Sequence, residues 1–359
     1  MNFKELLKIM VDKSASDLFL RAETFPRARI NGTVTAVTSD VVSVKQMQEV
    51  VDSILTEEEH RKNYKLYHDV DFVFDEQGIG RFRINIFTQR GTPALVARHV
   101  HYHVKGFKDL NLPDELLRTF CEESSGLLLI CGPAGSGKST TIASMIDYIN
   151  TYSEKHIVSI EDPIEFLFES KKSIINQREL GADVLSYANA LKHVTQQSPD
   201  IIYIGNIRDV DTMRAVISAT EMGTFVMTTF HTINAVQTLT RIVNFFPPYL
   251  HDEIRMQLSN ILKGVVSLRL LTRLDKSGRV PAYETMVVTP TIARLIREGD
   301  FNKIQNFIDE GELFGMQSFR KSLVKLVREG MVAEEDARLV AFSKDEFTLE
   351  MRGIKRFDK

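Results

Sequence analysis

Gly132-Pro-Ala-Gly-Ser-Gly137-Lys138-Ser139 is a complete G-x-x-x-x-G-K-[ST] loop, and no other stretch of the chain constrains its fold as tightly. Before it, Leu127 to Cys131 is a short apolar run that reads as a buried strand. After it, Ile142, Met145, Ile146 and Ile149 recur at helical spacing. Strand, glycine loop and helix aim backbone N–H groups and the positive end of a helix dipole at one point. Gly132, Pro133, Ala134, Gly135, Ser136, Gly137, Lys138, Ser139 and Thr140 are therefore the expected phosphate cradle. Within it, Lys138 neutralises the outer phosphates and Ser139 offers a hydroxyl to Mg2+. The chain is expected to bind a nucleoside triphosphate.

Apolar runs at Leu127–Cys131, Ile157–Ile160, Ile201–Ile204 and Phe225–Thr229 alternate with helical patterns, which predicts a parallel sheet covered on both faces. Beyond Pro247-Pro248 a long amphipathic pattern runs from His251 to Leu268, then a hairpin turning near Lys276-Ser-Gly278. Further helices are expected after Thr289-Pro290 and near Gly315. The first 110 residues read differently. After a short first helix they show strand patterns, with a hairpin at Asn31-Gly32 and a second one through Gln77-Gly-Ile-Gly80. In Arg81 to Phe87 the residues Phe82, Ile84 and Ile86 face one way while Arg81, Arg83 and Asn85 face the other. The expected division is a first domain over 1–110, a linker over 111–122 broken at Pro113, a nucleotide-binding core over 123–285 and a helical region over 286–359.

The net charge of -3 and a pI near 6.3 disfavour a chain whose main partner is nucleic acid. No window approaches the ~18 apolar residues that span a bilayer, so no membrane insertion is expected. The two cysteines, Cys121 and Cys131, read as inert core thiols of a reducing compartment.

Hydrolysis needs a carboxylate to orient or deprotonate the attacking water. Ser159-Ile-Glu161-Asp162-Pro163-Ile-Glu165 places three carboxylates just past the second strand, on the sheet edge that carries the loop. Glu161-Asp-Pro-Ile-Glu165 resembles the Asp box of the secretion ATPases, the superfamily that powers type IV pili and type II and IV secretion, and Thr229-Phe-His231-Thr232 resembles their His box. Asn176-Gln-Arg-Glu179, Gly315-Met-Gln-Ser318 and Leu295-Ile-Arg-Glu-Gly299 resemble motifs of the pilus retraction branch, the PilT/PilU-type ATPases. Thr291-Ile-Ala-Arg294 departs from that branch's Ala-Ile-Arg-Asn.

The resemblance implies an α/β chain with a PAS-like α+β N-terminal domain, a RecA-like ATPase domain and a C-terminal helical region. It implies a cytoplasmic homo-hexamer at the inner face of the membrane, driven by ATP and Mg2+. It would work with a pilus platform protein and a paralogous retraction ATPase. It assigns the catalytic carboxylate to Glu165, the nucleotide sensor to His231 and phosphate-reaching arginines to the set Arg81, Arg83, Arg90 and Arg98, of which Arg83 and Arg98 are first choices. Assembly ATPases of the superfamily carry a tetracysteine zinc module and an extra N-terminal domain. Here no cysteine follows Cys131 and the extra domain is expected to be absent, which favours retraction over extension.

One departure bears on catalysis. The family's Walker B strand ends in Gly-Glu, where this chain has Gly205-Asn206. Its first aspartate is Ser198, and the arginine two places earlier is Gln196. An amide neither holds charge beside magnesium nor accepts a proton at neutral pH. Two classes follow: a hydrolysing motor, or an ATP-binding accessory ring that serves an active paralogue. Ser198 and Gln196 would also mark a site rebuilt around the amide. A DNA translocase is disfavoured by charge.

Overall fold

The computed structural model describes residues 2–30, 32–100 and 104–354. They form two compact units, Met1–His103 with Glu165–Leu167, and Val104–Ile164 with Phe168–Lys359. Residues 111–122, read as a linker, hold a helix whose Leu117 and Phe120 are buried in the core of the second unit.

The first unit opens with α1 (Phe3–Asp12), capped by the Asn2 side chain, which accepts from the Lys4 N–H. Phe3, Leu6, Leu7 and Met10 make its buried stripe. Strands β1 (Asp17–Arg21), β2 (Arg27–Ile30) and β3 (Thr33–Ala36) precede α2 (Val44–Ile54) and α3 (Glu58–Tyr67). Ser43 and Gln46 close a capping box on α2, and α3 buries no residue, as its charges require. Strands β4 (Asp69–Glu76), β5 (Gly80–Gln89) and β6 (Thr92–Val100) complete an antiparallel sheet in the order β3-β2-β1-β6-β5-β4. The β2–β3 and β4–β5 hairpins fall where the turn signals place them, although Asn31 itself lies outside the described residues. Phe82, Ile84 and Ile86 pack inward with the apolar faces of α1 and α2, which makes this unit a PAS-like α+β layer pair.

In the second unit α4 (Asp114–Cys121) leads into β7 (Gly126–Cys131), α5 (Lys138–Tyr152), β8 (His156–Glu161), β9 (Ile174–Glu179), α6 (Tyr187–Val194), β10 (Ile201–Ile204), α7 (Val210–Glu221), β11 (Phe225–Phe230) and α8 (Ala235–Asn244). Then follow α9 (His251–Ile261), β12 (Leu262–Thr272), β13 (Arg279–Val287), α10 (Pro290–Glu298), α11 (Phe301–Glu310), α12 (Phe319–Arg328), α13 (Glu334–Val340) and α14 (Lys344–Met351). The sheet order is β13-β12-β7-β11-β10-β8-β9, parallel throughout except for the β12–β13 hairpin. Successive residues of β7 point to opposite faces: Leu127 and Leu129 join a core with α6 to α11, while Leu128 and Ile130 join another with α4 and α5. Both faces of the sheet are thus covered, the RecA-like arrangement expected from the alternation of strands and helices. A third cluster packs α12, α13 and α14 on Leu271, Val280 and Ala282 of the hairpin.

The structure corrects one element and adds another. The amphipathic run from His251 does not continue to Leu268; the helix stops at Ile261 and Leu262 starts a strand. Val265, Val266 and Leu268 are buried between β7 and β13, and a Cβ on Gly264 would lie 2.4 Å from Phe120 Cζ. Close strand packing therefore overrides the local helical period. The added element is β9, an edge strand whose Ile174-Ile-Asn-Gln-Arg-Glu179 is mostly polar and only half-buried.

Candidate functional site

The phosphate-type loop joins β7 to α5 at the carboxyl edge of the sheet. Gly132 has φ +146°, and a Cβ there would meet Ser136 Oγ at 2.3 Å and the Leu268 carbonyl oxygen at 2.5 Å, so the loop closes only around glycine. Gly137, at φ +98°, turns the chain into α5 as its N-cap. The Lys138 ammonium is buried under the loop it belongs to, donating to the carbonyls of Gly132 at 2.8 Å and Pro133 at 2.9 Å. Ser136 Oγ is buried with no hydrogen-bond partner among the described residues. A buried hydroxyl of this kind costs stability unless something accepts or donates to it. With the free N–H groups that begin any helix, it fits a polyphosphate seated in the loop.

Three further strand ends lie beside it. The Gly132 N–H donates to the Phe230 carbonyl at 3.1 Å, the Gly205 N–H to the Ile160 carbonyl at 2.8 Å, and Thr229 Oγ1 to the Gly205 carbonyl. The roots of the loop, of Asn206, of Glu161 and of His231 are thereby laced along one edge. Asn206 is buried, and Glu161 is buried with its Oε1 accepting from Ser159 Oγ at 2.7 Å and Gln177 Nε2 at 3.2 Å. His231 Nδ1 stands 3.5 Å from Lys138 Nζ. Burial, and then the positive charges of Lys138, Arg208 and Arg241, push the imidazole below its ordinary value, so it is neutral at physiological pH. A neutral ring facing an ammonium through Nδ1 carries its proton on Nε2, which leaves that nitrogen a donor. Behind it, Thr232 Oγ1 and Thr238 Oγ1 lie 2.6 Å apart, and Thr238 donates to Cys131 Sγ at 3.3 Å. This buried chain ties the histidine loop to the strand that ends in the phosphate loop. Burial raises the Cys131 thiol to about 11 and the Cys121 thiol further still, which leaves both inert.

Glu165 and the four arginines belong to the first unit, Ser198 and Gln196 to the second. Glu165 begins the stretch Glu165–Leu167 that falls with the first unit. Arg83 and Arg98 pair across β5 and β6, and each meets a carboxylate of its own unit: Arg83 grips Asp71 with Nε at 2.7 and 2.8 Å, and Arg98 Nε meets Asp17 at 2.9 Å. Arg81 stands 3.7 Å from Asp75, and Arg90 occupies the β5–β6 turn at φ +49°. Ser198 and Gln196 precede β10 whereas Asn206 follows it, so the three departures do not share one locale. Parallel strands have two ends, and only the carboxyl end carries the loop.

Sequence reasoning missed Glu284. On β13 it shares the inward face with Val280, Ala282 and Met286, is buried, and accepts from the Ala235 N–H at 2.9 Å and Gln305 Nε2 at 3.4 Å. Burial raises it to about 7. An acidic residue in the apolar register of a strand was the signal. Among the described residues no group of three or more His, Cys, Asp or Glu is arranged to hold a metal. A magnesium site here would depend on Ser139 together with phosphate oxygens, the usual economy of protein ligands for that ion. No described helix is long and apolar enough to cross a membrane.

The family model described as Type II/IV secretion system protein matches residues 4–298. The type IV pilus ATPase PilU of Pseudomonas aeruginosa is 37% identical over 97% of this chain and 91% of its own length. The type IV pilus retraction ATPase PilT of the same organism is also 37% identical, over 94% of this chain and 97% of its own. A crystal structure of the pilus retraction motor PilT with bound ADP superposes with a TM-score of 0.86 at 39% identity, covering 96% of this chain and 98% of that one. The chain belongs to the type II/IV secretion system protein family.

Proposed function

We propose that this chain is an ATP-hydrolysing motor subunit of a type IV pilus machine, acting in pilus retraction. The observation that carries the reading is the lacing of the glycine loop, the buried Glu161, Asn206 and the neutral His231 along one sheet edge. The ADP in the solved PilT relative and the retraction role in a full-length relative's name support it.

In this reading Gly132 to Thr140 wrap the phosphates, and Lys138 exchanges its carbonyl partners for the outer phosphates. Ser139 holds Mg2+, which neutralises developing charge on the phosphate oxygens. Glu165 orients or deprotonates the attacking water, and His231 Nε2 reports the outer phosphate by donating to it. Arg83 and Arg98 would reach phosphate in the assembled, cytoplasmic homo-hexamer, which works on a platform protein at the inner membrane.

Asn206 favours a second reading, an accessory ring that binds ATP, hydrolyses it slowly and serves a paralogous motor. Phosphate release by the purified chain, alone and with a PilT-type paralogue, tests both. Turnover alone that Lys138→Ala abolishes supports the motor. Turnover seen only with the paralogue supports the accessory ring. Unchanged binding of a fluorescent ATP analogue by Lys138→Ala would show that the loop is not the site.

A further inference from the structure

The edge strand β9 carries Gln177 and Glu179 two residues apart, hence on the same face and about 7 Å from each other. Their side chains reach back over the turn that follows β8. Gln177 Nε2 donates to Glu161 Oε1 at 3.2 Å, while its Oε1 accepts from the Phe168 N–H at 3.0 Å. Glu179 Oε2 accepts from the Ile164 N–H at 3.1 Å. The Leu180 N–H adds a bond to the Glu161 carbonyl at 2.8 Å. The turn is therefore pinned at Glu161, Ile164 and Phe168, and the last two anchors flank just the three residues 165–167.

We propose that Gln177 and Glu179 are positioning residues for the Glu165 carboxylate, clamping both roots of the arch that carries it. This rests on the reading of Glu165 as the hydrolytic carboxylate. Water could satisfy loop N–H groups at a surface, but here two same-face side chains of the edge strand take the Ile164 and Phe168 N–H groups and hold the loop in one shape. Three residues between fixed points leave Glu165 little freedom, and preorganisation of a base is what hydrolysis depends on: a displacement of about 1 Å costs on the order of 10²-fold in rate. Gln177 acts on a second carboxylate as well, holding Glu161 at the sheet edge beside the backbone of Gly205.

The test measures kcat, ATP affinity and melting temperature for Gln177→Ala, Glu179→Ala, Glu179→Gln and Glu165→Gln. Glu165→Gln is expected to lose at least about 10²-fold in kcat. Gln177→Ala and Glu179→Ala should each lose about 10-fold or more in kcat with ATP affinity within two-fold of the unmodified chain. Glu179→Gln keeps an oxygen for the Ile164 N–H and should recover most of that loss. Wild-type kcat in both alanine variants, with Glu165→Gln inactive, overturns the clamp alone. So does a kcat loss that Glu179→Gln fails to recover, or one that tracks melting temperature and affinity. Full turnover in Glu165→Gln, or none in the unmodified chain, overturns the reading of Glu165 and the clamp with it.

Discussion

Asn206 is where one atom type divides the two functional readings. It follows β10 on the loop's edge and is buried, with Gly205 before it set close against Glu161. Ser198 lies at the other end of the strand, where its carbonyl meets His156 Nδ1 at 3.3 Å. Asn206 and Ser198 therefore occupy opposite ends of one strand. A glutamate at 206 would stand near Glu161 and Asp162, and like charges raise carboxyl pKa values. Arg208, 3.6 Å from Asp162, supplies compensating positive charge. Asn206→Glu is therefore expected to raise steady-state turnover several-fold, read as phosphate release. A flat rate with ATP still bound would favour the accessory ring.

At the scale of elements, the arginines of β5 and β6 are anchored by carboxylates, and that anchoring is cheap. Arg83 and Asp71 are partly solvated, and pairs of this kind contribute about 0.2–1 kcal/mol. Asp17 stays compensated without Arg98, since Arg29 lies 3.3 Å away and Ser16 Oγ donates at 2.8 Å. Arg83→Ala and Arg98→Ala should each cut turnover by about 10-fold or more while melting temperature moves little, because no cavity is left. Melting loss in step with activity would make them structural.

Glu284 binds four elements together: β13, the N-terminus of α8, α11 through Gln305, and the start of α12 through the Phe319 backbone, with Asp309 as the nearby negative charge. Its folded value, about 7, lies above its ordinary 4.5, so between those values the folded state holds more protons than the unfolded one. Stability from this group is full below about 4.5 and is lost as pH rises to about 7, by on the order of 3 kcal/mol at ~1.36 kcal/mol per pH unit. The melting-temperature difference, Glu284→Gln minus unmodified, should therefore grow across that window and level off above it. A difference independent of pH would contradict the assignment.

For the whole molecule, the second unit exposes large apolar side chains that folding alone leaves uncovered, Leu185 at 89% and Leu313 at 99%. Association covers such surface. With ATP and Mg2+, light scattering should report a mass near six times the 40.9 kDa chain. A monomer under every nucleotide condition would overturn the ring.

The second unit's parallel strands and its glycine loop were legible because their signals are local: an apolar run, a spacing and glycines at fixed offsets. The hairpins of the first unit were legible for the same reason, in Gly32 and in the alternation of Phe82, Ile84 and Ile86. What failed was what only neighbours decide. The helix from His251 carries an unbroken period, and it ends at Ile261 because β7 and β13 take up Leu262–Thr272. The polar strand β9 pairs with β8 because backbone hydrogen bonding at a sheet edge needs no apolar pattern. Local signals along the chain suffice for the loop, for parallel strands covered on both faces and for the carboxylates available to the site. Which strand ends meet, the separation of Ser198 from Asn206, the burial of Glu284 and the reach of Gln177 and Glu179 to the roots of the carboxylate arch emerge only in the folded chain. The difference is one of range: periodicity and turn chemistry act over a few residues, whereas burial and cross-strand hydrogen bonds depend on partners far away in the chain.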